Sequence, residues 1–288
     1  MAITSNRPTS LVLVLALMLA GSGSVFGAIK ARNDFNASVG PWTTFDSGTD
    51  YLWSITGGET ISHAPGGSGT FPAGNPVFGG AMDISPVAAM FHWDTRANVA
   101  DRLFGTTQER TFEMWFAPRQ FDLGAPGNGT FGGTLLALDG NTMFGNGNLF
   151  FFDNGVAPGQ QLFFQSSVTG TVESGARTWN ANEWHHVAIS WNATNIMVGL
   201  DGIVLSNTAH GGLGAWSWDS DQGGFLGGLP ANGFDGWFDE VVVSDTGHFA
   251  SEAMATGSYT VPTAPIPEPV TLSLLGLGGL AVLRRRRS

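Results

Sequence analysis

Short runs of alternating apolar residues, separated by glycine, asparagine, aspartate and proline, recur through the middle of this chain. In residues 111–116 and 186–191 every second side chain is apolar, which is typical of strands with one buried face. No long stretch between residues 29 and 260 has helical periodicity. Asp201-Gly202 predicts a two-residue hairpin turn, because both residue types tolerate a positive φ. The pattern therefore predicts an all-β domain.

The chain has enough large apolar side chains to fill a core, since 21 of its 288 residues are Phe and 10 are Trp. Its 42 Gly and 14 Pro stay below the roughly 25–30% share that is typical of low-complexity chains. The alternation predicts buried side chains at Phe112, Phe116, Val187, Ile189 and Trp191. Stretches rich in Gly and Asn predict surface loops around residues 57–80, 124–132 and 207–233.

The charge distribution argues against a general affinity for nucleic acid. The formal net charge is −11, and four of the twelve basic residues lie together at the C-terminal end. The rest of the chain therefore lacks the basic surface that phosphate backbones require. The absence of cysteine excludes disulfides, thiolate metal sites and thiol chemistry. If the chain is exported, its stability must come from its core or from bound ions.

Residues 1–27 have the three parts of a secretory signal peptide. Arg7 precedes the apolar run 11–20, and small residues follow. Val25 and Gly27 meet the small-residue requirement three before and one before the cut, so we expect cleavage after Gly27. The alternative is an uncleaved signal anchor, although the run is short for a span of about 20 residues.

The C-terminal end combines Pro267, Glu268 and Pro269 with an apolar segment, 270–283, and a basic cluster. The cluster consists of Arg284, Arg285, Arg286 and Arg287. These three parts, in this order, resemble the PEP-CTERM sorting signal of Gram-negative bacteria. The resemblance implies recognition by an exosortase-type enzyme, cleavage near the Pro-Glu-Pro motif, and display at the cell surface or in the extracellular matrix. The apolar segment is short for a permanent membrane span, and cleavage after sorting would make the membrane contact transient. The alternative is an ordinary tail anchor.

Four segments of the middle region resemble successive signatures of LamG-like domains. They are Phe112-Glu-Met-Trp-Phe116, Glu183-Trp-His-His-Val-Ala188, Val198-Gly-Leu-Asp-Gly202 and Phe234-Asp-Gly-Trp-Phe-Asp-Glu-Val241. Such domains belong to the concanavalin A-like lectin/glucanase superfamily. The resemblance implies a two-sheet antiparallel jelly-roll sandwich that binds carbohydrate or protein. We expect residues 28–260 to form this domain, between the signal peptide and a Pro-rich joint with its sorting segment, 261–288.

Glucanases of that superfamily carry alternating acids on one strand, and no such string occurs here. Glu109 and Glu113 would share a face of a regular strand but lie roughly 13 Å apart, beyond the roughly 5–9.5 Å that glycosidase dyads need. Asp239 and Glu240 are neighbours and would point to opposite faces of a strand. We therefore expect no catalytic residues; the alternative is a glycoside hydrolase or lyase of the same superfamily.

Two pairs of residues are candidates for metal binding. His185 and His186 are adjacent in a predicted strand, so their rings should point to opposite faces and cannot readily chelate one ion. The resemblance to LamG-like chains implies instead that this pair is part of the strand's packing signature. Asp235 and Asp239 offer the hard oxygen ligands that calcium prefers, and jelly rolls of the superfamily that the chain resembles often hold a structural calcium ion. The alternative is that these aspartates stabilise a turn.

Residues 216–221 predict a ligand site if this segment bends. Trp216 and Trp218 lie on one side of an extended segment, and the faces of Trp rings stack on sugars. Asp219 and Asp221 can accept hydrogen bonds from sugar hydroxyls or bind calcium, although a regular strand would turn them away from the rings. The alternative is core or loop packing of these side chains.

Together these features predict an exported, non-catalytic protein of the cell surface or extracellular matrix, with a module that binds glycans, extracellular polysaccharide or protein. The alternatives are the glycoside hydrolase or lyase named above and a purely structural matrix protein. Exposed, clustered loop tryptophans would favour binding, whereas an acidic surface without exposed aromatic side chains would favour the structural role. The sequence does not name the ligand, because a fold does not fix a function.

Overall fold

The structure is a computed structural model, and it describes residues 29–33, 53–56, 60–63, 80–84, 90–93, 106–119, 131–137, 147–153, 160–175, 179–216, 225–226, 234 and 236–262. The predicted signal peptide (1–27) and residues 263–288 of the predicted sorting region lie outside these residues. Within the described part of the chain, no helix has the length and apolar character needed to cross a membrane.

The described residues form two antiparallel sheets. The first sheet contains, in spatial order, β13 (Ile203–Ala209), β12 (Asn195–Leu200), β11 (His185–Trp191), β6 (Arg110–Pro118), β15 (Gly236–Ser244), β4 (Gly80–Ile84) and β3 (Thr60–His63), and β1 (Ile29–Asn33) also pairs with β15. The second sheet contains β10 (Gly170–Glu173), β9 (Gln160–Ser166), β8 (Asn148–Asp153), β7 (Phe131–Ala137), β14 (Phe225–Leu226), β5 (Met90–Trp93) and β2 (Trp53–Thr56). This architecture confirms the predicted all-β, two-sheet antiparallel sandwich.

The main core lies between the two sheets. The five side chains predicted to be buried are all 0% exposed: Phe112, Phe116, Val187, Ile189 and Trp191. Leu149, Leu162 and Phe164 of the second sheet belong to the same buried cluster. The prediction from alternation is therefore confirmed for β6 and β11, whose inward-facing residues are every second one.

A helix that the sequence did not reveal, α1 (His248–Thr256), packs on the outer face of the first sheet. Phe249 and Ala253 of this helix form a second buried cluster with Met197 of β12 and with Tyr259. The close packing requires glycine at position 199, because a Cβ there would lie 2.3 Å from the Tyr259 ring. With nine residues, α1 is shorter than the window over which periodicity identifies a helix.

Two stretches predicted to be surface loops contain strands. β3 lies within residues 57–80, and β14 lies within residues 207–233. These strands have four and two residues, and alternation cannot identify a strand that short. β3 takes its place by pairing with β4, the next strand in the chain. β14 takes its place by pairing with β5 and β7, which are distant in sequence.

Candidate functional site

Trp216 is buried in the main core rather than displayed on a loop. Its side chain is 8% exposed, and its ring centroid lies 6.0 Å from that of Trp191 and 5.5 Å from that of His210. Its backbone carbonyl accepts a 2.6 Å hydrogen bond from Thr106 Oγ1. This position favours the packing alternative for Trp216. Its proposed companions lie outside the described residues, and their part of the ligand site stays a prediction: Trp218, Asp219 and Asp221.

Asp239 is buried at a β-bulge of β15. Its side chain is 0% exposed, and its Oδ1 accepts a 2.7 Å hydrogen bond from the backbone N–H of Glu240. Glu240 has a φ of 44°, and the register with β6 shifts between Asp239 and Val242. All nine residues of β15 are buried, including both acids, and the bulge interrupts the regular alternation here, so alternation alone does not fix the faces to which the two acids point. These contacts favour a role for Asp239 in stabilising the bulge.

A calcium site at Asp239 would need ligands from outside the described residues. Calcium takes six to eight oxygen ligands, and no group of three potential ligand side chains converges within the described part of the chain. Asp235, the other predicted ligand, lies outside that part. The acidic and histidine side chains of the described residues therefore do not by themselves supply a calcium site at Asp239.

The two adjacent histidines face opposite sides of the first sheet. His185 Nδ1 lies 2.9 Å from Asp201 Oδ2, and its ring packs in the core 4.8 Å from the Trp179 ring, centroid to centroid. His186 points to the outer face, where its Nε2 lies 3.2 Å from Glu113 Oε2. The expectation that these rings cannot share one ion agrees with this geometry.

The Asp201-Gly202 turn forms as the sequence predicts. Asp201 has a φ of 52° and Gly202 a φ of 82°, and the turn joins β12 to β13. Asp201 Oδ1 also accepts a 2.9 Å hydrogen bond from the backbone N–H of His186. One carboxylate thus holds both the His185 side chain and the start of β11 in place.

A layer of polar side chains lies buried between the first sheet and α1. Glu113 and His186 bond each other, and His186 Nδ1 lies 3.2 Å from the Tyr259 hydroxyl. Thr111 Oγ1 lies 2.7 Å from Ser190 Oγ. These residues are 3% exposed or less. The four strand residues among them occupy positions of the alternating pattern that face away from the main core, so the alternation gave no signal of their burial.

Ser190 compensates for the missing side-chain cap of α1. The N-cap residue is Gly247, which makes no side-chain cap hydrogen bond. Ser190 Oγ of β11 accepts a 3.0 Å hydrogen bond from the N–H of Ala250. A donor that the helix leaves unsatisfied at its first turn is therefore satisfied by the sheet beneath it, which fixes the start of α1.

Lowering the pH is expected to destabilise the docking of α1. Burial lowers the pKa of His248 from its ordinary value of 6.5, against the raising effects of the Glu113 charge, a Thr246 backbone hydrogen bond and the Glu252 charge. The unfolded chain therefore takes up a proton at pH values where the folded chain does not. The contribution of neutral His248 to the free energy of unfolding is fully present above about pH 6.5. It is lost as the pH falls toward the lowered pKa of the folded state.

This pH dependence can be measured as the difference in Tm between about pH 7.5 and about pH 5.5. We expect the Tm to be lower at the acidic pH, and the difference to shrink in His248→Gln, which cannot titrate. An equal difference in the wild type and in this variant would contradict the assignment to His248.

A groove of about 390 Å³ opens at the end of the first sheet, where the residues before β6, the turn between β11 and β12, and α1 meet. Glu109, Asn192, Ala193, Ser251, Met254 and Ala255 are among the residues that line it. The sequence singles out Glu109 only as a candidate dyad partner of Glu113, and the other lining residues belong to no motif, because the lining comes from three separate segments. The groove is a second feature that sequence reasoning missed.

Comparisons with known proteins identify the fold. The Laminin_G_3 family model, described as Concanavalin A-like lectin/glucanases superfamily, matches residues 93–252. Domain 4 of AbnA, a GH43 extracellular arabinanase from Geobacillus stearothermophilus solved in complex with arabinotriose, is similar with a TM-score of 0.50 and 15% identity, over 80% of this chain and 98% of that one. No match to this chain was found among curated proteins.

Two toxin domains are also similar in structure. The binding domain of Paraclostridial Mosquitocidal Protein 1 has a TM-score of 0.50 and 11% identity, over 79% of this chain and 51% of that one. The receptor binding domain of botulinum neurotoxin C/D mosaic serotype has a TM-score of 0.51 and 12% identity, over 78% of this chain and 49% of that one. This chain thus spans about half the length of these two chains, and at such identities the similarity shows the fold alone.

Proposed function

Since this chain belongs to the Laminin_G_3 family of the concanavalin A-like lectin/glucanases superfamily, we propose that it is an exported, non-catalytic binding module of the cell surface or extracellular matrix. The observation that argues against catalysis by the acids of β6 and β15 is the burial of two of them. Glu113 contacts His186 beneath α1, and Asp239 accepts a hydrogen bond from its own bulge. They are 2% and 0% exposed, so neither is presented to a substrate.

The ligand that we propose is a glycan. Domain 4 of the arabinanase is solved with arabinotriose, which is a precedent for oligosaccharide binding on this fold. The net charge of −11 disfavours long acidic polymers through repulsion. A neutral extracellular polysaccharide is therefore the better partner. Protein is the alternative, for which the two toxin binding domains are the precedent.

A glycan array of the purified exported protein, with and without calcium, tests this function. We expect binding to a subset of neutral glycans, with no release of shorter products over hours. Release of cleaved oligosaccharide would instead identify a glycoside hydrolase or lyase. Failure to bind any glycan or envelope protein would favour the purely structural matrix role. A loss of binding on calcium removal would support the calcium ion predicted at Asp235 and Asp239.

Delivery of the domain depends, in this proposal, on the two ends of the chain. Residues 1–27 direct export, and an exosortase-type enzyme of a Gram-negative bacterium recognises Pro267, Glu268, Pro269 and the basic cluster Arg284 to Arg287. Contacts near the last described residues support a domain that extends at least to Val261, which packs against the cluster beneath α1. Ser258 forms an isolated β-bridge with Ile203, and Tyr259 is 3% exposed beneath α1.

Intact mass of the protein from its native envelope tests the sorting proposal. We expect a species that starts near residue 28 and ends near residue 267. A chain that ends near residue 267 is expected to keep the full Tm, because it retains Val261 and every other described contact of the fold. A mature species that retains Ser288 would show a permanent tail anchor and contradict the proposal.

A further inference from the structure

The groove at the end of the first sheet has a rigid floor made by Asn192. This side chain is 8% exposed, and its Nδ2 donates to Ser251 Oγ at 3.1 Å and to Met254 Sδ at 3.4 Å. Its Oδ1 accepts the backbone N–H groups of Thr194 and Asn195 at 2.9 and 2.8 Å. Asn192 thus ties the turn between β11 and β12 to α1, so direct hydrogen bonds join two of the segments that line the groove.

Two polar groups in the lining have hydrogen-bonding capacity left for a ligand. Glu109 Oε1 accepts the backbone N–H of Ala193 at 3.0 Å, which holds the carboxylate in place and leaves Oε2 as an acceptor. Ser251 Oγ accepts from Asn192, so its own hydroxyl hydrogen can donate. The groove therefore offers one positioned acceptor and one positioned donor.

The rest of the lining is largely apolar. Ala193 and Ala255 are small, and Met254 is 54% exposed, although exposed large apolar side chains are few among the described residues. The groove is widely open to solvent, and its volume of about 390 Å³ lies in the range of small-ligand sites, which combine apolar walls with a few positioned polar groups. The C–H face and the hydroxyls of a sugar ring match such a lining.

The charge of the lining limits the class of sugar that the groove can bind. Glu109 is the one ionisable residue among those that line the groove, so an anionic sugar such as a uronate would be repelled. An ammonium group would pair with Glu109, but its desolvation against the largely apolar lining costs more than that of a neutral hydroxyl. From this complementarity, we infer that the groove is a contact site for a neutral sugar residue. The inference rests on the proposed glycan-binding function and names its site and its ligand class.

Calorimetric titration of the full-length chain tests the inference. The probes are arabinotriose and cellotriose as neutral trisaccharides, a galacturonate trimer as the anionic one and a glucosamine trimer as the cationic one.

Glu109→Gln keeps the hydrogen bond to Ala193 but removes the charge, and it should weaken neutral binding by about tenfold. Ala255→Arg places a long side chain at the groove and should abolish binding. Glu173→Gln, an exposed position on β10 of the other sheet, is the matched control and should bind as the wild type does.

The outcomes separate this inference from the function on which it rests. Neutral trisaccharide binding that is unchanged in Glu109→Gln and Ala255→Arg, both with the wild-type Tm, would overturn the site while glycan binding stands. Preference for the anionic probe, or binding of the cationic probe alone with strong salt dependence, would overturn the ligand class. No binding of any probe or array glycan by the wild type would overturn both the inference and the proposed glycan function.

Discussion

Replacing Ile189 by Asp is expected to leave the domain unfolded at room temperature. Ile189 lies in the centre of β11, opposite Phe112 of β6 and Val198 of β12, and it is 0% exposed. An unpaired carboxylate at this position costs several kcal/mol of desolvation. The lost burial of the isoleucine adds roughly 2–3 kcal/mol. Their sum is comparable to the total stability of a typical domain, about 5–15 kcal/mol.

Near-ultraviolet circular dichroism and a thermal scan measure this effect. We expect no cooperative transition for Ile189→Asp. Ile203→Asp is the matched control, because Ile203 lies at the start of β13 and is 56% exposed; its stability should change by no more than about 0.5 kcal/mol. A wild-type Tm for Ile189→Asp would show that β11 does not line the core.

Replacing Trp216 by Ala is expected to destabilise the domain by about 3–5 kcal/mol, the usual cost of removing a buried Trp side chain. The ring packs against Trp191 and His210, and its removal leaves a cavity beside Trp191, which is itself 0% exposed. The hydrogen bond from Thr106 reaches the backbone and survives the substitution. The expected loss is therefore one of packing alone.

The measurement is the free energy of unfolding in denaturant, combined with glycan binding. Leu213→Ala is the control, because Leu213 belongs to the same segment but is 36% exposed, and it should cost far less. A wild-type free energy of unfolding in Trp216→Ala, together with lost glycan binding, would instead support the ligand site that the sequence predicts at Trp216 and Trp218. A large loss of stability would establish the ring as part of the core.

The candidate groove could not be predicted from the sequence, for a definite physical reason. Its lining comes from the residues before β6, the turn after β11, and α1, which are separated by about 80 and 60 residues in the chain. Glu109, Ala193 and Ser251 each belong to an ordinary polar or small-residue context. Only the pairing of β11 with β6, and the docking of α1 on that sheet, bring them to one place.

The sequence by itself determined the all-β class, the inward faces of β6 and β11, and the hairpin at Asp201-Gly202. Each of these follows from local backbone geometry, since strand side chains alternate between faces whatever lies beyond the strand. Only the tertiary structure decided whether the outward-facing side chains of β6 and β11 are buried or exposed. Glu113 and Ser190 have the pattern of solvent-facing residues, yet they are buried because α1 covers them. Such burial depends on a packing contact between distant segments, and no local pattern encodes it.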